Sequence, residues 1–411
     1  DALGSAIRVD TRGREVMRVL PRVNEQINEE WISDKTRFIW DGLKTQRLDK
    51  PYVRKDGRLQ PASWSDAFAA IKSAVSATSV DKIGAIAGDL ASVEEMYALG
   101  ELLKSLGSEN LDCRQDGTAL DPSLGRASYI FNPSIQGIEQ ADALLIVGAN
   151  PRAEAAVMNS RIRKRWRRGK FPIGVIGEAA DLRYSYDYLG AGPDTLADLV
   201  SGSHSFAEVL KNAQKPMIII GQGALTREDG AEVLANAAKL AAAVGVVKDG
   251  WNGFAVLHTA AARVGGLDLG FVPGAKGVNA AAMLSSMDVL FLLGADELDF
   301  SRKGAKFTVY IGSHGDNGAQ NADVILPAAA YTEKSGTWVN TEGRVQMGNR
   351  AGFAPGDARE DWAIIRAISD VLGKKLPFDS LRELRAKLYA AFPHFAGIDE
   401  IAEGDSAQIA A

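Results

Sequence analysis

Short apolar runs that stop at glycine recur along the chain, and they leave it few folds to adopt. Ile83–Ala87 ends at Gly88, Ala143–Val147 at Gly148, Met217–Ile220 at Gly221 and Val289–Leu293 at Gly294. Runs of this length without polar alternation are strands buried on both faces, the habit of parallel sheets covered by helices. The intervening segments carry helix signals. Ser92 is placed to cap a helix that runs to Leu106 and stops at Gly107, with Glu94 and Glu95 in its first turn. A helix beginning at Trp64 presents Ala67, Phe68, Ile71 and Val75 as one apolar stripe. Further helices are expected from Glu154 to Arg168 and between Glu228 and Val244. Further strands are expected at Asn110–Cys113, Ile173–Ile176, Thr308–Ile311 and Val324–Leu326. The fold class is α/β. At 411 residues the chain is expected to make two such units, with room for added segments.

One run echoes another. Ala141–Asn150 is answered by Ser286–Asp296, each a buried strand that delivers Gly-Ala and a short polar side chain to its carboxyl end. Two related sheets facing one cleft account for the echo, and so does convergence on the same strand-to-loop chemistry. Ahead of the βα rhythm, residues 3–60 are rich in Arg, Glu, Asn and Trp. Two short paired strands stand out there, Ile7–Val9 and Val16–Leu20, around a turn at Arg12-Gly13.

Charge and composition exclude several functions. A net charge of −5 gives no general attraction to nucleic acid or anionic lipid. No apolar run approaches the ~20 residues of a membrane span, and no signal or transit sequence opens the chain. Opening on Asp1, it is expected to be a processed or excised fragment. The single cysteine, Cys113, forbids an internal disulfide and fits a reducing compartment. A lone thiol could be nucleophile, metal ligand or buried side chain, the last being the default. There is no Gly-Lys-Ser/Thr loop, His-Glu-x-x-His or Gly-x-Ser-x-Gly, which removes the usual NTPase, zincin and hydrolase readings. Gly221-Gln222-Gly223 lacks the third glycine of a dinucleotide fingerprint, since position 226 is threonine. The surrounding KPMIIIGQGA is also similar to the central domain of thiamine-diphosphate enzymes, where it is architectural. His204, His258, His314 and His394 are scattered singly; His314, in a Gly-rich turn, is the best placed of them to bind metal. Arg161, Arg163, Arg165, Arg167 and Arg168 with Lys164 and Lys170 form a basic helix end around Trp166. A solvated helix terminus or a contact with an acidic neighbouring protein explains such a run.

The richest segment is Ala322–Arg344. Its strand stops at Pro327, which cannot donate to a ladder. A loop is then expected, in which Glu333, Lys334, Ser335, Asn340, Thr341, Glu342 and Arg344 crowd around Gly336 and Gly343. Polar loops at the end of a parallel sheet are where α/β proteins place ligands. This one resembles the loop by which molybdopterin-dependent oxidoreductases approach their pterin nucleotide.

A more specific resemblance covers the chain from end to end. GREVMRVLPRVNEQINEEWISDKTRF (Gly13–Phe38), DGLKTQRLDKPYVR (Asp41–Arg54), GANPRAEAAVMNSRIRK (Gly148–Lys164), KPMIIIGQGAL, FLLGADE, the Ala322–Arg344 segment and AREDWAIIRAISDVLG (Ala358–Gly373) carry it. The chain resembles the large iron–sulfur subunit of NADH:quinone oxidoreductase (respiratory complex I), in the molybdopterin-oxidoreductase-like domain that follows the cluster-binding part. The resemblance implies two parallel-sheet α/β subdomains around a cleft, with a small β-containing lead. The boundaries expected are 1–60 for the lead, 61–118 with 210–375 for the first subdomain, 119–209 for the second and 376–411 for a tail.

The pattern of active molybdoenzymes is incomplete. Gly148, Asn150, Pro151 and Glu154 match a Gly-x-Asn-Pro motif with its glutamate, but Ala156-Val157 stands where His-Pro is found. Gly177-Glu178-Ala179 replaces Asp-Pro-Arg. Near the metal-ligand position lie only Cys113, Gln115 and Asp116, of which Asp116 offers an oxygen. The expectation is therefore no catalytic residue and no metal site, with Asn150, Glu333 and Asn340 marking a vestigial cleft. No cofactor is expected in this chain. The 2Fe-2S and 4Fe-4S clusters of the intact subunit would sit in its missing N-terminal part. Implied partners are the flavin/NADH-binding and cluster-bearing subunits of the peripheral arm, on the cytoplasmic face of a bacterial inner membrane or the mitochondrial matrix side. The arginine-rich helix end and Trp31 and Trp40 of the lead are the expected contact surfaces. An active molybdopterin-nucleotide-dependent oxidoreductase is the alternative.

Overall fold

A computed structural model describes residues 2–410. The chain opens with an antiparallel hairpin of β1 (Ile7–Arg12) and β2 (Glu15–Pro21). A second hairpin, β3 (Tyr52–Lys55) and β4 (Arg58–Pro61), leads to β5 (Ile83–Ala87) and β6 (Asn110–Asp112). Then come β7 (Ala143–Val147), β8 (Ile173–Ile176), β9 (Asp187–Gly190) and β10 (Pro216–Ile220). A small ladder of β11 (Val247–Lys248) and β12 (Trp251–Asn252) precedes β13 (Phe254–Val256). The last strands are β14 (Val289–Leu293), β15 (Phe307–Gly312), β16 (Val324–Pro327), and the hairpin β17 (Gly336–Val339) and β18 (Val345–Gly348).

Two large sheets result. The five-stranded sheet, ordered β13-β10-β7-β8-β9, is parallel throughout. The seven-stranded sheet runs β4-β3-β16-β15-β14-β5-β6, parallel except where the β3–β4 hairpin closes one edge. Alternate residues of β7 serve two cores: Ala143, Leu145 and Val147 join Ile218 and Ile220, while Leu144 and Ile146 join Met217 and Ile219. Burial on both faces is why these runs lack polar alternation, and each such Leu or Ile contributes about 1.5–3 kcal/mol. The helix Val93–Leu106 begins in a capping box between Ser92 and Glu95 and ends at Gly107 in a left-handed conformation.

The sequence echo has a structural counterpart. The Gly148 N–H donates to Ile176 O and the Gly221 N–H to Val147 O; in the other sheet the Gly294 N–H donates to Ile311 O and the Gly88 N–H to Leu293 O. Gly148 and Gly294 both hold φ at 58°. Their surroundings differ, since a Cβ on Gly148 would lie 2.5 Å from the Ala224 nitrogen whereas one on Gly294 would meet nothing within 4 Å. Gly294→Ala is therefore expected to cost about 1–2 kcal/mol from left-handed strain alone. Gly148→Ala should cost clearly more, because backbone must move as well. Urea unfolding of the two variants measures the difference, and equal losses would contradict it.

Several expectations need correction. β10 and β13 pair with β7, so the five-stranded unit does not stop at residue 209 but continues through Val256. β3 and β4 belong to the seven-stranded sheet, which removes residues 52–60 from the lead. The helix expected over 154–168 is two, Pro151–Glu154 and Ala156–Arg167, separated at Ala155 (φ −148°, ψ 64°). Glu154 folds back to accept the Asn150 N–H at 2.7 Å and closes the first turn on itself. The loop expected after Pro327 contains the β17–β18 hairpin. No helix among the described residues is long and apolar enough to cross a membrane.

Candidate functional site

The segment from Ala328 to Arg344 is a strap that ties both sheets, the lead and the C-terminal tail together. Glu333 accepts a paired contact from Arg47, 2.7 Å at Nη1, and the Ala330 N–H at 2.9 Å. Lys334 is buried between two carboxylates, 2.6 Å from Glu95 and 2.9 Å from Asp361. Ser335 accepts from Arg385. Thr337 donates through its backbone N–H and its hydroxyl to buried Glu94, which also receives Arg385 at 2.8 Å. All these partners sit on the side of the seven-stranded sheet.

Beyond β17 the partners change. The Asn340 amide donates to Leu3 O at 3.0 Å, and its oxygen accepts the Arg344 N–H at 2.9 Å. The Thr341 hydroxyl donates to Val256 O, at the end of β13, and accepts the His258 N–H. Glu342 accepts the Ile135 N–H at 2.7 Å and the Arg344 guanidinium at 2.8 Å. Arg344 reaches Asp399 O in the tail. Groups that the sequence offers as free to hold a ligand are engaged within the chain.

The three cleft candidates therefore separate. Glu333 and Asn340 are bonded as above, and neither lines the cavity beside Asn150. Asn150 caps the turn Pro151–Glu154 and borders a cavity of about 270 Å³ over the carboxyl ends of β7 and β8. Glu154, Glu178 and Arg227 supply its charged groups. Burial pushes the Glu154 carboxyl above its usual range. This cavity does not fit a pterin nucleotide. It is below the ~300–1,000 Å³ of ordinary small-molecule sites, and two carboxylates against one arginine disfavour a diphosphate. The neighbouring glycines are filled by the chain itself: a Cβ on Gly223 would lie 2.8 Å from Gly148 O. Val157, in the place of the missing His-Pro, is core.

The remaining candidates are buried or have partners within the chain. Cys113 is buried behind β6, and burial pushes its thiol up to about 12, so it stays protonated. Asp116 pairs with Arg263 at 2.9 Å. His314 bonds Ser313 and Gly42 O, and His204 accepts the Phe206 N–H. His258 is buried, its Nε2 against Tyr129 O, and burial lowers it to about 4, leaving it neutral. His394 lies 3.3 Å from Asp268. Among the described residues no group of three or more His, Cys, Asp or Glu could hold a metal.

Most of the basic run stays exposed, but several of its side chains are engaged within the chain. Buried Arg161 donates to Ile27 O and Glu25 O and pairs with Glu139 at 2.9 Å, while Lys164 pairs with Glu29. Arg168 also reaches Glu139, and Arg165 stacks over Phe171. Arg161 and Lys164 thereby clamp the lead to the five-stranded unit, whereas Arg168 and Arg165 contact only residues of that unit. Sequence reasoning missed Arg47, Glu94, Glu95, Asp361, Arg126 and Asp268 as buried charges. Glu94-Glu95 behind Ser92 offered a signal, since both precede an apolar helix.

Two largely parallel sheets with strand-end glycines, joined by a polar strap, make an α/β architecture of the molybdopterin-oxidoreductase type. The family model described as Molybdopterin oxidoreductase matches residues 47–371, and the chain belongs to that family. A second model, described as the NADH-ubiquinone oxidoreductase NDSU1/NuoG-like 4Fe-4S domain, matches residues 1–41; that stretch has no cysteine. An NADH-quinone oxidoreductase subunit of Rickettsia felis is 46% identical over 408 residues, 99% of this chain and 60% of the relative. The mitochondrial NADH dehydrogenase (ubiquinone) iron-sulfur protein 1 of Solanum tuberosum is 45% identical over 402 residues, 97% of this chain and 54% of the relative. The chain thus spans less than two thirds of these relatives. Among solved structures, acetylene hydratase from Pelobacter acetylenicus aligns with TM-score 0.67 at 13% identity, covering 96% of this chain and 71% of that one. The formyltransferase/hydrolase complex of Methylorubrum extorquens aligns with TM-score 0.58 at 17% identity, covering 79% and 99%. At these identities the likeness is one of fold.

Proposed function

We propose that this chain is a non-catalytic scaffold domain within the large iron–sulfur subunit of a respiratory NADH:quinone oxidoreductase. It braces the cluster-bearing part of that subunit and so fixes distances along the electron path from NADH to quinone. The observation that carries the reading is the strap, whose eight polar residues from Glu333 to Arg344 named above bond within the chain. The relatives, similar over nearly the whole of this chain, support the assignment to that subunit. A scaffold needs a rigid core and contact surfaces, which the paired sheets and the lead supply.

The lead is the proposed surface toward the clusters. Its inner face is held by Arg161 and Lys164, while Met17, Val23, Trp31, Phe38 and Ile39 remain exposed at 41–72%. Among the described residues, five of the ten large exposed hydrophobic side chains lie in this short stretch, and such concentrations mark protein contacts. Cysteines outside this chain would hold the clusters. Flavin- and cluster-bearing subunits of the peripheral arm are the proposed partners, on the cytoplasmic or matrix side of the energy-coupling membrane. Purification of the tagged intact polypeptide from washed membranes tests the proposal. Flavin, iron and NADH-dependent quinone reduction should travel with it, and recovery as a lone protein without them would overturn the reading.

A further inference from the structure

The cations of the helix Ala156–Arg167 and the turn after it divide into two rows. One row faces the lead and its own unit: Arg161, Lys164 and Arg168, spaced by three and four residues, pair with Glu139 or Glu29. The other row is left over. Arg163 and Arg167 stand one turn apart, Lys170 follows beyond the helix end, and all three are exposed. Among the described residues no carboxylate lies within ion-pair distance of any of them, and the side chains of Arg167 and Lys170 make no hydrogen bond. A neighbouring loop extends this row. The Arg163 Nε donates to Arg183 O at 3.0 Å, which sets Arg183 beside the helix. Arg183 and Arg152 share Asp181, at 3.2 and 2.8 Å. Arg152, Arg163, Arg167, Lys170 and Arg183 are thus set against the one carboxylate that bridges to any of them, in a chain whose net charge is −5.

The fold does not need this arrangement. The helix dipole favours cations only in the last turn, which includes Arg167 but neither Arg152 nor Arg183. Like charges four residues apart on a helix repel. Lys170 and Arg183 hold φ at 50° and 66°, a conformation that glycine or asparagine adopts more easily. Such strain is kept where function uses the side chain. Half-buried Trp166 packs on the core within the same turn, and tryptophan and arginine dominate protein interfaces. We propose that this face docks a carboxylate-rich segment of a partner protein, its acid groups taken by Arg163, Arg167 and Arg183 with Lys170 at the end of the row. Planar guanidinium forks match carboxylates. A membrane partner needs large apolar side chains to insert, and none of the large exposed ones lies within residues 156–170 or 181–183. A nucleic acid would extend past so small a face onto an acidic chain. This face is distinct from the lead, and the inference does not rest on the scaffold reading.

Fluorescence anisotropy with a labelled hexaglutamate peptide tests it on the full chain at about 50 mM salt. The peptide should bind saturably, and the double variant Arg167→Glu with Lys170→Glu should weaken it by about tenfold or more. The control pair Lys72→Glu with Lys239→Glu changes the net charge equally at two other exposed helix positions. It should weaken binding by less than about threefold. Arg167 and Lys170 make no side-chain bond within the chain, so their double variant should unfold like the parent. Phosphatidylserine vesicles and a single-stranded oligonucleotide are the competing probes. No saturable peptide binding, an equal loss in the two double variants, or tighter binding to vesicles or oligonucleotide than to the peptide would overturn the proposal. The probe is synthetic and the chain is tested alone, so failure here leaves the subunit assignment untouched.

Discussion

Lys334→Met is expected to destabilise the protein by about 3–5 kcal/mol at pH ~8, because it leaves two buried carboxylates without their cation. Glu95 and Asp361 are 4% and 5% exposed at the side chain and share the Lys334 ammonium. Burial, with Glu95 beside it, raises the Asp361 carboxyl to about 7, even though Lys334 pulls the other way. The surrounding carboxylates outweigh burial at Lys334 and hold its ammonium above the usual range. A carboxyl raised on folding favours the folded state most when protonated, so this contribution is lost as pH climbs from ~4 to ~7. Removing the lysine should raise Asp361 further. The deficit of the variant should then shrink as the pH is lowered from ~8 to ~5. Urea unfolding at the two pH values measures both effects. A loss under ~1 kcal/mol that does not vary with pH would show that Lys334 does not bridge the strap to the helices Val93–Leu106 and Asp361–Val371.

The second large effect is expected at Asp268. This carboxylate, 1% exposed, receives Arg126 through two contacts of 2.8 Å and the Tyr129 hydroxyl at 2.8 Å, with His394 of the tail at 3.3 Å. Burial raises its carboxyl, but the neighbouring His394 and Arg126 outweigh burial and hold it below the usual range. A lowered carboxyl contributes stability that is present above ~4 and lost as pH falls through its folded value. Asp268→Ala should therefore cost about 3–5 kcal/mol near neutral pH. The loss should be larger than that from His394→Ala, since Arg126 would be left buried alone. Unfolding midpoints of the two variants check the order, and a milder Asp268→Ala would contradict it.

The strands are legible in the sequence because burial on both faces leaves an unbroken apolar run, as in β7, β10 and β14. Which sheet each joins is not, since nothing local to Met217–Ile220 records its pairing with Ala143–Val147. β9 escapes notice because Asp187-Tyr188 is exposed at a sheet edge. The helix Pro193–Ser201 is hidden by flanking glycines. In the strap the sequence points to the right residues and suggests the wrong partners. Thr337 meets Glu94 across 243 positions and Glu333 meets Arg47 across 286, and such pairings have no local signature. Arg161 of the basic helix reads as facing outward for the same reason, since its acceptors Glu25 and Ile27 lie in the lead.

On the scaffold reading, the polar strap serves as an internal brace and holds no pterin cofactor. Elemental analysis of the intact polypeptide, purified natively without chelators, tests this most directly. Molybdenum and tungsten should fall far below one equivalent while iron is retained. Stoichiometric molybdenum or tungsten would contradict it.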